Sequence, residues 1–311
     1  MNTQAKGYII GAIAAATYGT NPLFALPLYE AGMNPDSVLL FRYLFALPVL
    51  GCMLKVRGRS FGVQLQALPL LTVMGLLVAV SSLTLFLSYT YMDAGIASTL
   101  LFIYPVLVAL IMAVGFKEKL SPLTALCILL AVGGIALLYK AGDGSTLSLK
   151  GTLLVFASAL SYAVYIVAVK QTRLKEIPTL TVTFYVLLAG LVLFLFRVDF
   201  GRSLILPAQW YLWGNLAALA LFPTAISFLC TTAAIQYIGS TPTAILGALE
   251  PVTAVCFGVA VFGENLSMRI ACGMAMIIVA VTLVIAGNNI GASLTHFRKL
   301  FPRLRANGER P

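Results

Sequence analysis

The sequence predicts an all-α membrane protein of ten transmembrane helices, arranged as two five-helix repeats of inverted topology. Three observations carry this expectation. Hydrophobic residues make up 60% of the chain and charged residues only 10%, with a mean hydropathy of +0.99, whereas a soluble domain carries about 25% charged residues. The 311 residues fall into ten apolar runs joined by short connections. The second five runs also repeat features of the first five at a nearly constant spacing.

Taken in order, the runs lie at about 7–29, 36–54, 68–90, 95–115, 121–139, 151–169, 179–197, 210–233, 240–262 and 268–287. At about 1.5 Å per residue each comes near the length that crosses a hydrocarbon core about 30 Å thick. The first places Gly7, Gly11, Ala15 and Gly19 at every fourth position, a small-residue stripe that lets two helices approach closely, and then meets Asn21-Pro22. The second holds Arg42 about six residues inside its end. The fourth contains Tyr104-Pro105, the eighth Pro223 and the ninth Glu250-Pro251. A proline inside a membrane helix leaves a carbonyl without its usual donor, so Pro22, Pro105, Pro223 and Pro251 are candidate hinges or gating points. The longest polar piece is the tail after Gly287.

The repeat is visible residue by residue. Gly7 and Gly151 open spans 144 residues apart, and at that offset Ala15-Ala16-Thr17-Tyr18-Gly19 lies over Ala159-Leu160-Ser161-Tyr162-Ala163. Further on the offset is 146: Tyr91 matches Tyr237, Tyr104-Pro105 matches Glu250-Pro251, and residues 115–121 match 261–267. Five spans is an odd number, so the second unit enters the membrane upside down. Glu118 and Glu264 then become mates on opposite faces. The expected units are 1–140 and 141–287, followed by a basic tail at 288–311. Inverted repeats enclosing a midplane site are the architecture of alternating-access carriers.

The charge pattern orients the chain. Ten spans put both termini on one side, which collects fourteen Lys and Arg against five on the other, with Arg42 inside a span. The positive-inside rule makes that side the cytoplasm, in a multi-pass protein of the cytoplasmic (inner) membrane. The net charge of +10 is thus a topology signal and not a nucleic-acid footprint. In the tail, Phe297, Leu300, Phe301 and Leu304 alternate with cations, which suits anionic headgroups of the bilayer. His296, the one histidine, reads as an interfacial tail residue. Cys52, Cys127, Cys230, Cys256 and Cys272 stand singly in apolar runs, without metal-ligand spacing. The first apolar run is too long for a cleavable signal peptide.

Glu250 is the one charge between Ser240 and Gly263. At mid-membrane an acidic side chain costs about 2.5–3.5 kcal/mol, so it is either a pathway group or a residue that locks helix packing by bonding a neighbour. Arg42 can snorkel to the surface or reach inward to Glu250, as a coupling or ion pair. Mid-span polar and aromatic residues are candidates to line a cavity for a small-molecule substrate. From the first unit these are Tyr18, Thr20, Asn21, Ser81, Ser82 and Tyr104; from the second, Ser158, Ser161, Tyr162, Tyr165, Ser227, Thr231 and Glu250. Each Ser or Thr has an alternative role, bonding its own backbone or a neighbouring helix.

Other function classes fit less well. A channel needs a filter, a ring of charge or oligomeric pore helices, and none is visible. An intramembrane enzyme needs a metal cluster, a diphosphate motif or a nucleophile with its base, and a tail histidine cannot supply these. With no phosphate-cradling loop, ATP-driven transport is not indicated, and an ion gradient, exchange or the solute's own gradient is left as the energy source.

Two five-helix halves, each with a proline-bearing fourth helix, a Glu at its end and a Leu-Ser start to the fifth, resemble the EamA family of the drug/metabolite transporter superfamily. The matching residues are Pro105, Glu118, Leu120 and Ser121 in one half and Glu250, Pro251, Glu264, Leu266 and Ser267 in the other, with Arg42 in the second helix. The resemblance covers about residues 5–287. It implies no enzymatic activity and no cofactor, and export of small metabolites, often amino acids or their derivatives. It also implies a central cavity ringed by helices one to four and six to nine. The chain itself is expected to act as a monomer or homodimer. Two features depart from the pattern: Tyr162-Ala163 lacks the glycine of Tyr18-Gly19, and Asn21-Pro22 has no mate.

Overall fold

The computed structural model describes residues 3–58, 61–117, 122–139, 148–238, 243 and 246–283. Glu118 and the basic tail with His296 therefore lie outside the described residues. The first unit comprises α1 (Thr3–Tyr18), α2 (Asn21–Glu30), α3 (Pro35–Val56), α4 (Leu68–Ser88), α5 (Ala94–Leu101), α6 (Tyr104–Phe116) and α7 (Pro122–Tyr139). The second comprises α8 (Leu149–Gln171), α9 (Thr179–Arg197), α10 (Trp210–Ala220), a π turn at Leu221–Ile226, α11 (Ser227–Ile238), α12 (Leu249–Phe262) and α13 (Met268–Leu283). Among the described residues, seven segments are long and apolar enough to span a membrane, and shorter apolar helices occupy the fifth, ninth and tenth positions.

Contacts at the helix ends sort the chain into two faces. On the face where α1 begins, Lys6 sits over the Tyr237 ring at 5.5 Å, and the Tyr185 hydroxyl donates to the Phe61 carbonyl at 2.6 Å. On the opposite face the Arg197 guanidinium grips Asp36 at 2.5 and 3.1 Å. Each of these pairs joins ends that alternating passage through a bilayer brings together.

The inverted relation appears in matched contacts. The start of α1 presses on the end of α11, where a Cβ on Gly7 would stand 2.7 Å from that of Tyr237. The start of α8 presses on the end of α4, where a Cβ on Gly151 would stand 3.2 Å from that of Tyr91. Gly7 corresponds to Gly151 and Tyr91 to Tyr237, so one contact is the other turned over. The same holds deeper in the bundle. Ser158 donates to the Ser81 carbonyl at 2.7 Å, and Ser227 donates to the Ala14 carbonyl at 3.0 Å. At the offsets of 144 and 146, position 14 corresponds to 158 and 81 to 227, so equivalent positions are bonded at both seams with donor and acceptor exchanged.

The interior joins α3, α4 and α9 through Tyr43, Phe86 and Phe194, all essentially buried. The Tyr43 and Phe194 rings meet edge to face at 5.1 Å, a geometry worth about 0.5–1.5 kcal/mol beyond area burial. Large apolar side chains also point outward, Trp210, Val114 and Met268 among them, a surface suited to lipid and not to water.

The fourth and ninth spans break at equivalent places, with non-helical residues at 102–103 and 247–248. The first and eighth breaks have no mates: the helix interrupts at Gly19-Thr20 before Pro22, and the π turn encloses Pro223. The corresponding stretches of α8 and α4 run straight through.

On the face opposite the start of α1, Glu264 caps α5. Its carboxylate accepts from the Ala94 amide at 2.8 Å and from the Gly95 amide at 3.2 Å. Burial and the neighbouring Asp93 push the Glu264 carboxyl up, while the two amides pull it down. A side-chain acceptor at a helix start is worth about 0.5–2 kcal/mol. Glu264→Ala is therefore expected to lower thermal stability by about that amount and to speed hydrogen exchange in the first turn of α5. Glu264→Gln, which keeps one acceptor oxygen, is expected to lose less.

Candidate functional site

Where α1, the break in the fourth span, α8, α11 and the start of α12 converge, a cavity of about 270 Å³ opens. Its wall includes Tyr18, Tyr104, Tyr162, Ser227, Thr231 and Glu250. Residues of α1 from Gly11 to Tyr18 line it, a depth of roughly 10 Å at the helical rise. It therefore reaches from mid-membrane toward the face where α1 begins. Both repeats contribute to its wall, and it lies along their seam.

Each functional side chain is placed by a local feature of the chain. Glu250 and Tyr104, mates at the 146 offset, sit in the first turns of α12 and α6 because the preceding residues leave the helix there. Pro105 and Pro251 fit these starts, since a first-turn proline forfeits no helical bond. The positive end of α12 faces the Glu250 carboxylate. Among the described residues no ion pair reaches Glu250. Tyr162 meets Tyr104 edge to face at 4.9 Å and stacks on Tyr165 at 5.8 Å, so Tyr104 and Tyr162 form an aromatic wall that Tyr165 backs from behind.

The other sequence candidates are placed elsewhere. Thr20 donates to the Thr17 carbonyl at 2.6 Å, and Asn21 donates to the Tyr18 carbonyl at 2.9 Å, so both close the break after α1. The side-chain oxygen of Asn21 is buried without a partner. Ser81 and Ser158 bond one another at 3.0 Å, and Ser82 bonds the Tyr43 hydroxyl at 2.9 Å. These serines tie α4 to its neighbours. Ser161 is half-buried on α8 and is not among the wall residues, and Tyr165 reaches the cavity only through Tyr162. Arg42 and Glu250 form no ion pair in this conformation. The Arg42 side chain instead donates from Nε to the Thr224 hydroxyl at 3.2 Å and lies 5.3 Å from the Phe86 ring centre. All four candidate hinge prolines stand at irregularities: Pro22 opens α2, Pro105 and Pro251 lie in the first turns of α6 and α12, and Pro223 lies in the π turn.

Phe228, Thr243, Gly247, Ala14, Ala15 and Gly11 complete the wall. Hydropathy gives no sign of these residues as a set. The spacing of the small-residue stripe does bring Gly11 and Ala15 onto one side of α1. Among the described residues no cluster of His, Cys, Asp or Glu could hold a metal ion.

An all-helical bundle of inverted repeats, with outward apolar side chains and a cavity on its seam that carries a few polar groups, defines a membrane transporter. The model of the EamA-like transporter family matches residues 5–140 and 149–286. The chain belongs to that family, one of transporters and not of enzymes. An "uncharacterized transporter" of Archaeoglobus fulgidus is 29% identical over 275 residues, covering 87% of this chain and 93% of that protein. The "uncharacterized inner membrane transporter YicL" of Salmonella typhimurium is 24% identical over 293 residues, covering 91% and 96%. A solved crystal structure shares the fold with a TM-score of 0.64 at 21% identity, covering 93% of this chain and 99% of that one.

Proposed function

We propose that the protein is a secondary transporter that exports small metabolites, amino acids or related compounds, by alternating access. It acts in the cytoplasmic membrane with both termini in the cytoplasm. The observation that carries the reading is the tyrosine-walled cavity holding the carboxylate of Glu250 at the seam between the repeats. An aromatic wall with one anionic group suits a solute that has an apolar body and a cationic amine. The matched serine bonds at the two α-helical seams, α8 with α4 and α1 with α11, support two conformations of similar energy related by the inversion. In the present one, the Asp36–Arg197 pair and the Glu264 cap hold the opposite face together.

The test is counterflow in proteoliposomes preloaded with unlabelled amino acids. Labelled amino acid supplied outside is expected to accumulate transiently and to saturate with concentration. A flux linear in concentration and indifferent to the preload points to a channel and defeats the reading. In intact cells, a single cysteine at position 264 is expected to react with an impermeant thiol reagent, and one at position 118 only after the membrane is opened. Labelling of both from one side defeats the inverted arrangement.

A further inference from the structure

In an inverted repeat, contacts required for packing recur in both halves, as the Ser158–Ser81 and Ser227–Ala14 bonds do at equivalent positions, with donor and acceptor exchanged. Polar groups without a mate are not part of that shared scaffold. Arg42 is the clearest case: the offsets of 144 to 146 place Val186, Leu187 and Leu188 opposite it. Thr224, its hydrogen-bond partner, corresponds to Val78. The two backbone irregularities flanking this pair, at Pro22 and Pro223, correspond to Ile166 and Leu77 in unbroken helix.

The surroundings of Arg42 lack a counter-charge. Its side chain is only 8% exposed, and no carboxylate of a described residue pairs with it. The Thr224 hydroxyl accepts a hydrogen bond from Nε and donates its own to the Leu219 carbonyl at 3.3 Å, which holds it in place in the π turn. The Tyr18 side chain is near enough to both Arg42 and Glu250 to interact electrostatically with each. Tyr18 is also a wall of the cavity, so one side chain separates Arg42 from the solute space. A guanidinium has five donors in a planar fork that matches a carboxylate. Buried in a membrane interior without an anion it is costly, and an arriving carboxylate offsets that cost.

We propose that Arg42, held by Thr224 beside the cavity-lining Tyr18, is an anion subsite that takes the carboxylate of the transported solute while Glu250 faces its cationic end. The inference rests on the carrier reading and narrows it to zwitterions. Each buried charge of the protein then meets its counter-charge only when an amino-acid-like solute is bound. An amine without a carboxylate leaves Arg42 uncompensated, and a carboxylate without an amine does the same to Glu250.

The experiment measures thermal unfolding of the purified full-length protein in detergent against a panel of free apolar amino acids, their C-terminal amides and the corresponding decarboxylated amines. At least one free amino acid is expected to raise the unfolding midpoint of the wild-type protein, with its amide weaker by about tenfold or more, the usual span for removal of a charge-assisted hydrogen bond. In Arg42→Gln the preference for acid over amide is expected to vanish, and in Arg42→Lys to survive in part. Thr224→Val keeps the charge and removes the group that orients it, and is expected to reduce the preference a few-fold with the amine response unchanged. It serves as the decisive variant if Arg42→Gln does not fold. The proposal is overturned if no free amino acid stabilises the wild-type protein, if acid and amide act alike on it, or if the folded variants discriminate as the wild type does. Saturable counterflow of amines or amides that depends on Glu250 would sink the Arg42 subsite and leave the carrier itself standing.

Discussion

Glu250→Gln is expected to reduce transport by at least tenfold without unfolding the protein. Gln keeps the length and planar shape of the side chain and removes its charge. A hydrogen bond to a charged partner contributes about 1.5–3 kcal/mol, which corresponds to roughly ten- to a hundredfold in affinity. The carboxylate lines the cavity and forms no ion pair with a described residue, so the partner that Gln fails to hold is a solute or a coupling cation. Stability moves the other way from activity at this position. A neutral amide carries no desolvation cost of ionisation in the membrane interior, so the unfolding midpoint is expected to hold or rise. Counterflow in proteoliposomes and thermal unfolding of the same preparation check both halves of the expectation. Transport retained together with a midpoint lowered by several degrees would make Glu250 a packing residue.

Much of the fold was legible from the chain alone because the membrane restricts it so strongly. With no water to satisfy backbone groups, apolar runs must become helices, and the internal offset then supplies their pairing. The matched Gly7–Tyr237 and Gly151–Tyr91 contacts follow from that offset. Glu250, Tyr18, Tyr104 and Tyr162 were legible for a related reason, as conspicuous polar or aromatic groups at mid-span. Most of the serines were not, Ser227 being the exception. Hydropathy cannot tell a serine facing a cavity from one that bonds the next helix, and Ser81, Ser82 and Ser158 do the latter. Depth alone likewise left Arg42 open between the surface and Glu250. Its position depends on Thr224, 182 residues away along the chain, and on a π turn that hydropathy does not signal. Gly11, Ala14 and Ala15 were hidden as wall residues because a small side chain leaves room both for a helix and for a solute.

Gly19→Ala is the second large effect expected, and it acts on activity and stability together. A Cβ at this position would stand 2.5 Å from the backbone carbonyl oxygen of Glu250 and 2.7 Å from the Cβ of Thr253. Neither is the mobile end of a side chain, so α1 and the start of α12 must move apart. Overpacking of this kind costs about 1–3 kcal/mol. The strain falls on the turn that aims Glu250 into the cavity, so transport is expected to drop with the unfolding midpoint. Gly214→Ala in α10 is the matched control. Nothing lies within 4 Å of its added Cβ, and removing a helical glycine is expected to gain about 0.4–1 kcal/mol with transport unchanged. Thr253→Ala in the Gly19→Ala background leaves both close approaches in place, because the conflict is with a Cβ and a backbone oxygen, so it is expected to restore little. Recovery by that second change would place the strain in the Thr253 side chain. A Gly19→Ala protein with normal midpoint and normal transport would mean that the seam between α1 and α12 opens freely, and that Glu250 is not aimed by this contact.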